Sequence, residues 1–190
     1  MKLPVIDVIT KWSAPVRQYM QARDSAVMLS LANSVRPRVM VEFGVNVGFT
    51  AEMFLKNIET IERYVGVDVP KSYQTELPEQ WVEVPDSPGC RVIGIDKRFE
   101  LIMRPRGTLD LKPDDLPRAD VVFIDGDHGR GAVEHDSRLA AEIINPGGVI
   151  MWHDYGNHVV EVNDVLDKLL DEGWNLAAVS GSWIAFEQFE

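Results

Sequence analysis

Four stretches of this 190-residue chain carry side chains able to do chemistry, and each follows an apolar run. Val39-Met40-Val41 leads into Glu42-x-Gly44-x-x-x-Gly48-x-Thr50, and Tyr64-Val65-Gly66-Val67 leads into Asp68. Val121-Val122-Phe123-Ile124 precedes Asp125-Gly126-Asp127-His128, and Val149-Ile150-Met151-Trp152 precedes His153-Asp154. Two glycines between an apolar run and the helix-like Thr50-Ala51-Glu52-Met53-Phe54-Leu55 read as strand, tight turn and helix. Such a turn lets backbone pass close to a ligand, and the free N–H groups of the helix N-terminus suit an anion. The third glycine of the dinucleotide fingerprint is missing. An acid roughly 20 residues past the turn can accept both hydroxyls of a ribose, so Asp68 points to an adenosine-containing ligand. Any one acid after a strand reads as a helix cap or turn residue. Four polar strand ends on one sheet edge are harder to explain that way, and carboxylates gathered there call for a cation or ligand donors.

The elements that must position these residues alternate in type. Apolar residues at three- and four-residue steps (Val16, Met20, Val27, Met28, Leu31) predict a helix over 14–32, with a break at Asp24-Ser25. Further helices are expected at about 50–60, 132–144 and 159–172, the second closed by Asn145-Pro146-Gly147-Gly148. Strands are expected at 38–43, 64–68, 121–125 and 149–152. Residues 91–95 and 99–103 are both strand candidates; the second is the better third strand of the sheet, and the first reads as a preceding helix or a hairpin arm. Residues 70–90, with four prolines, read as a loop or insertion. Ser180-Gly181-Ser182 joins two C-terminal strands in a hairpin. Alternating strands and helices imply an α/β fold: a doubly wound, mostly parallel sheet with a C-terminal antiparallel hairpin strand. We read residues 1–190 as a single domain, with 1–37 an N-terminal helical segment. In such a sheet ligands bind outside the carboxyl ends of the strands, where the four stretches would meet.

Composition narrows the partners. Hydrophobic residues at 45% and charged residues at 26% suit a soluble globular protein. A net charge of −11 disfavours sequence-independent nucleic-acid binding and attachment to anionic membranes. No apolar stretch approaches a membrane span, and the N-terminus lacks a signal-peptide core. Cys90 is the only cysteine, which rules out an intramolecular disulfide and fits a cytoplasmic location.

Glu42-x-Gly44-x-x-x-Gly48-x-Thr50 resembles the first motif of class I S-adenosylmethionine (SAM)-dependent methyltransferases. Val121 to His128 together with Ile144 to Tyr155 resembles the small-molecule O-methyltransferases of the catechol, macrolide-sugar and cephalosporin-hydroxylase-like group, and the likeness extends over about 38–189. It implies a Rossmann-like sheet and transfer of the SAM methyl group to an oxygen of a small-molecule acceptor. It implies SAM across Gly44 and Gly48, its ribose on Asp68 and its amino-acid part near Glu42, Asn46 and Thr50, with Asp125 also at the cofactor. It further implies a divalent metal on Asp125 and Asp154, and His128 as general base, a histidine being the side chain that titrates near neutrality. Two departures stand out. His153 occupies a position that often holds a hard oxygen ligand; magnesium prefers oxygen and imidazole suits other ions. His153 is then a third ligand of a different metal, or points elsewhere, or no metal binds. The chain also lacks an obvious lid, so acceptor specificity falls to the N-terminal helix, the 70–89 loop or a neighbouring subunit of a homo-oligomer. Tyr155 and Asn157 line an acceptor pocket or shape a loop; Trp152 reads as core and His135 as a solvated helix residue. An NAD(P)-dependent oxidoreductase is disfavoured by the missing glycine. A non-catalytic SAM-binding module is disfavoured by the presence of Asp125, His128 and Asp154.

Overall fold

The structure, a computed structural model, describes residues 1–12, 20–75, 77 and 84–190. Its strands are β1 (Val5–Ile6), β2 (Val39–Phe43), β3 (Arg63–Asp68), β4 (Phe99–Met103), β5 (Ala119–Ile124), β6 (Ile144–Trp152), β7 (Ala177–Val179) and β8 (Ala185–Gln188). They form one sheet in the order β1-β7-β8-β6-β5-β2-β3-β4. All pairings are parallel except those of β8, which runs antiparallel to β6 and β7. The α-helices are α1 (Asp24–Ser34), α2 (Phe49–Asn57), α3 (Arg130–Ile143) and α4 (Val162–Asp171).

The central strands are apolar on both faces because helices cover both. Alternate residues go to opposite sides. Val41, Phe43, Val65, Val122 and Ile124 pack with Val133 and Leu139 of α3 and Leu166 and Leu169 of α4. Met40, Tyr64, Val121 and Phe123 pack with Val27 and Met28 of α1 and Phe54 of α2. The chain winds outward from β2 through β3 to β4, then returns to place β5 on the other side of β2. The switch point therefore lies between β2 and β5, directly beneath Gly44 and Asp125.

Three local expectations need correction. The apparent helix break at Asp24 is the start of α1; residues 13–19, where the expected helix would begin, lie outside the described residues. Residues 91–95 form neither a strand nor a hairpin arm. They lie in successive turns, with Ile93 N bonded to Gly89 O and Asp96 N to Val92 O, and Arg91 N bonded to Val47 O seats this segment over the glycine turn. Gly89 and Gly94 both take positive φ, which keeps an apolar run from extending. Asn145 to Gly148 do not separate α3 from the next strand: β6 starts at Ile144, immediately after the helix. A register shift between Ala119 and Val121, with Gly147 at φ 80°, accommodates them. The strand β1 was not anticipated, since two residues carry no periodicity. Of the expected 70–90 loop, the described residues contain no strand or α-helix, and 76 and 78–83 lie outside the described residues.

Candidate active site

The turn after β2 is shaped by its neighbours. Gly44 has φ 88°, and a Cβ there would lie 2.1 Å from the carbonyl oxygen of Asp125. That closeness follows from the parallel pairing of β2 with β5, which brings Asp125 N to Phe43 O at 2.8 Å. Asp68, at the end of β3, organises the same turn. Its Oδ2 accepts from Val45 N at 3.0 Å and Asn46 N at 2.7 Å, and its Oδ1 from Val69 N at 2.7 Å. Burial raises its pKa and these amide bonds act against that rise. A carboxylate has about four acceptor sites, so capacity remains for a ligand hydroxyl.

A cavity of about 830 Å³ opens over these strand ends. Gly44, Asn46, Asp68 and Asp125 line it, as do Thr108 and Asp136. Glu42, Gly48 and Thr50 are not among its lining residues. Gly48 takes φ 91° at the head of α2 and faces Gly89 and Val92, so its lack of a side chain serves chain packing. Glu42 lies beneath the turn, where Tyr64 Oη donates to its Oε2 at 3.0 Å. Burial pushes its pKa well up, Tyr64 counteracts this, and Asp125 and Asp68 add to the rise. Glu42→Gln is therefore expected to raise the thermal midpoint, and more at pH 8 than at pH 5. With a folded pKa above the unfolded value of about 4.3, the glutamate contributes stability that is full below that value and lost as pH rises toward the folded one. Glutamine keeps the acceptor for Tyr64 and loses nothing with pH. Unfolding curves of both proteins between pH 5 and 8 check this; a constant difference across that range would sink it.

Beside the cavity, the loops after β5 and β6 bring together all of the expected metal and proton-transfer residues. Ile124 pairs with Trp152, and His153 N donates to Ile124 O at 3.0 Å, so Asp125 and His153 leave the sheet side by side. Asp154 takes φ 65°, a left-handed conformation costly for a non-glycine residue and often retained at functional sites. His128 Nε2 lies 3.3 Å from Asp125 Oδ1 and 3.4 Å from Asp154 Oδ2. His153 Nδ1 lies 3.5 Å and 3.3 Å from the same two oxygens. Asp125, His128 and Asp154 can each offer one atom to a common ion, all within 4.8 Å of one another. Burial disfavours the charged form of both rings, but the carboxylates outweigh it. The pKa of His153 lies well above the usual histidine value and that of His128 is raised. Two carboxylates and one imidazole that can each turn an atom to a common point are a donor set that fits a divalent cation.

Several site residues were missed or misread. Asp24 of α1 has no exposed surface, and its Oδ2 lies 3.1 Å from His153 Nε2. Its sequence signature is only a break in helical periodicity. Asp136 of α3 is buried, one of its oxygens has no hydrogen-bond partner among the described residues, and burial pushes its pKa up to about 7. Asp127 lines the cavity and is not part of the Asp125–His128–Asp154 group, accepting from Tyr73 Oη at 2.7 Å and Gly129 N at 2.8 Å. His135 is half-buried and bonded to Thr108 O at 2.9 Å, not simply solvated. Tyr155 is buried, with its hydroxyl on Asp167, while Asn157 donates to Asp154 Oδ1 at 3.0 Å and shapes the loop. Trp152 lies in the core.

A doubly wound sheet with a glycine turn at its switch point, polar strand ends around a cavity and one antiparallel strand near the C-terminus has the Rossmann-like methyltransferase architecture. Residues 41–155 match the family described as methyltransferase domain, and the chain belongs to that family. Solved structures with the same fold include Rv0187 from MTB in cofactor-bound form: 19% identity, 98% of this chain and 83% of that chain covered, TM-score 0.62. Another is the SAH-bound methyltransferase PaMTH1 of Podospora anserina, 12% identical over 87% of this chain and 77% of that one, TM-score 0.63. A third is the O-methyltransferase TomG of Streptomyces achromogenes, involved in tomaymycin synthesis and solved with SAM: 15% identity, coverage 87% and 79%, TM-score 0.62. No curated protein sequence matches the chain.

Proposed function

We propose that this protein transfers the methyl group of SAM to an oxygen of a small-molecule acceptor, assisted by a divalent cation. The observation that carries the reading is the convergence of Asp125, His128 and Asp154 beside a cavity whose floor is the Gly44 turn. The SAM and SAH bound to TomG and PaMTH1 support it. No described helix is long and apolar enough to cross a membrane.

When bound, SAM supplies the electrophilic methyl group and the cation a Lewis acid for the acceptor oxygen. The chain's own residues do the rest. Asp68 has spare acceptor capacity for the ribose, and Gly44 and Asn46 offer a close backbone surface. Asp125 and Asp154 present oxygens that would hold the cation, with His153 Nδ1 beside them. His128 Nε2 would take the proton of the acceptor hydroxyl. Of the two rings it is the better placed to meet an acceptor, with 12% of its side chain exposed against 4% for His153. Orientation of two reactants is itself a large part of such catalysis.

Calorimetry with SAM and with its demethylated product, with and without divalent metal, tests this reading. Both should bind, and an absence of binding by either would overturn it. Turnover is expected to fall in chelator and return with added metal. Full turnover in chelator, together with an anomalous-scattering map empty at Asp125 and Asp154, would remove the cation from the mechanism.

A further inference from the structure

Among the described residues, buried side-chain oxygens without a hydrogen-bond partner occur on Thr60, Asp136 and Glu187, and of these only Asp136 lines the cavity. Asp136 sits on α3, outside the strand-end motifs, and is 2% exposed. Oδ1 is the unpartnered atom, so the bond with the Thr108 hydroxyl falls on Oδ2. Thr108 belongs to the 3₁₀ turn Gly107–Asp110 after β4, which α3 also meets through His135 Nε2, 2.9 Å from Thr108 O. Val69, just past β3, lies against that turn: a Cβ on Gly107 would meet its side chain at 3.0 Å. Asp136, Thr108, Val69 and Leu109 thus form the β3–β4 end of the cavity. The Asp125–His128–Asp154 group stands on the other side, where β5 and β6 end. A buried polar atom left unpaired costs about as much as a lost hydrogen bond. On a cavity wall, a donor carried by the ligand can remove that cost.

We propose that Asp136 selects the base of the cofactor: its Oδ1 accepts a hydrogen bond from the 6-amino group of adenine and rejects a purine with oxygen at that position. The inference rests on the SAM reading proposed above. With the ribose on Asp68 and the methyl group toward the Asp125 side, the base must extend the opposite way, toward Val69, Leu109 and Asp136. Val69 and Leu109 offer apolar surface to a flat ring, and Asp136 offers the acceptor that the ring's amino edge needs. The direction of that bond decides specificity. An amino group donates, whereas a ring carbonyl accepts, so a 6-oxo purine would set two acceptors against each other. A site built to bond a ligand's N–H discriminates strongly against the analogue that lacks it, because its own buried group is then left unpaired.

Calorimetric titration of the full chain with S-adenosylhomocysteine and with its 6-oxo counterpart, S-inosylhomocysteine, tests this. At pH 8.5, above the value of about 7 to which burial pushes Asp136, the carboxylate is an acceptor only. The native protein should prefer the adenosine ligand by at least about 10-fold. Asp136→Asn keeps the shape of the side chain and can turn an amide N–H to the 6-oxo group. It should therefore move the preference toward the inosine ligand by about 10-fold or more. A role in folding alone would weaken both ligands alike and leave their ratio unchanged. Should that variant not fold, the native protein loaded with S-adenosylhomocysteine carrying ¹⁵N in its amino group decides: the amino protons should show a nuclear Overhauser contact with the γ-methyl group of Thr108. A smaller native preference, a smaller shift in folded Asp136→Asn, or the absence of that contact would each overturn the proposal. Binding of neither ligand would overturn the SAM reading itself, whereas equal binding of both would sink the base assignment and leave the methyl-transfer reading standing.

Discussion

Alanine in place of His128 is expected to slow methyl transfer by roughly a hundred- to ten-thousandfold, the usual cost of removing a general base, with SAM affinity close to that of the native protein. The affinity should hold because His128 is not among the residues lining the cavity over the Gly44 turn. In the cation-free protein Asp125 and Asp154 outweigh burial and favour the charged ring. A base must be neutral, and a cation held by Asp125 and Asp154 would offset their charge. His153→Ala is the control. It removes a candidate ligand held by Asp24, so its defect should be recovered in part by excess metal, whereas that of His128→Ala should not. Single-turnover rates at several metal concentrations measure both. A nearly silent His128→Ala beside a His153→Ala dead at every metal concentration would reassign the base to His153.

Gly44→Ala is expected to abolish SAM binding. The added methyl group would lie 2.1 Å from the carbonyl oxygen of Asp125 and 2.6 Å from the α-carbon of Gly126. Both are backbone atoms tied to β2 through the bond from Asp125 N to Phe43 O, so relief requires the cavity walls to part. The positive φ adds about 1–2 kcal/mol of strain for any residue with a Cβ. Gly48→Ala carries the same φ penalty, but its nearest neighbours are a methyl group of buried Val92 at 2.9 Å and the α-carbon of Gly89 at 3.3 Å, both on the side of the turn away from Asp125 and Gly126. It should lower stability and leave most of the SAM affinity. Calorimetric titration of each variant, with circular dichroism to confirm folding, separates the two. Native-like SAM affinity in a folded Gly44→Ala protein would refute the placement of the cofactor.

Much of the sheet was legible because its physical causes are local. Val121-Val122-Phe123-Ile124 is too apolar for a strand with a wet face, and the same logic located β2, β3 and β6. The C-terminal hairpin was legible from Ser180-Gly181-Ser182. Reading failed where a local signal had a non-local answer. Pro146-Gly147-Gly148 does mark the end of α3, but the strand begins at once, with Ile144 paired to Ala119 and bonds from Gly147 N to Phe189 O and from Phe189 N to Gly148 O. Arg91-Val92-Ile93-Gly94-Ile95 has strand-like residues, but positive φ at Gly89 and Gly94 and the bond from Arg91 N to Val47 O draw it into turns.

The chain itself determined which chemistry was available: the order of strand ends, and Glu42, Asp68, Asp125, His128, His153 and Asp154 upon them. A parallel sheet places all its carboxyl ends on one edge, so those residues had to share a region. Tertiary structure decided what each would do there. Glu42, read as a ligand contact, bonds Tyr64 beneath the turn, and Gly48 packs against Gly89 and Val92, since the side a residue faces depends on what is packed against it. Asp24, silent in the sequence, became the partner of His153 because α1 packs over the end of β6 and brings a buried carboxylate within 3.1 Å of the ring. Hydrogen-bonding partners across 129 positions are set by packing, and no local pattern encodes them.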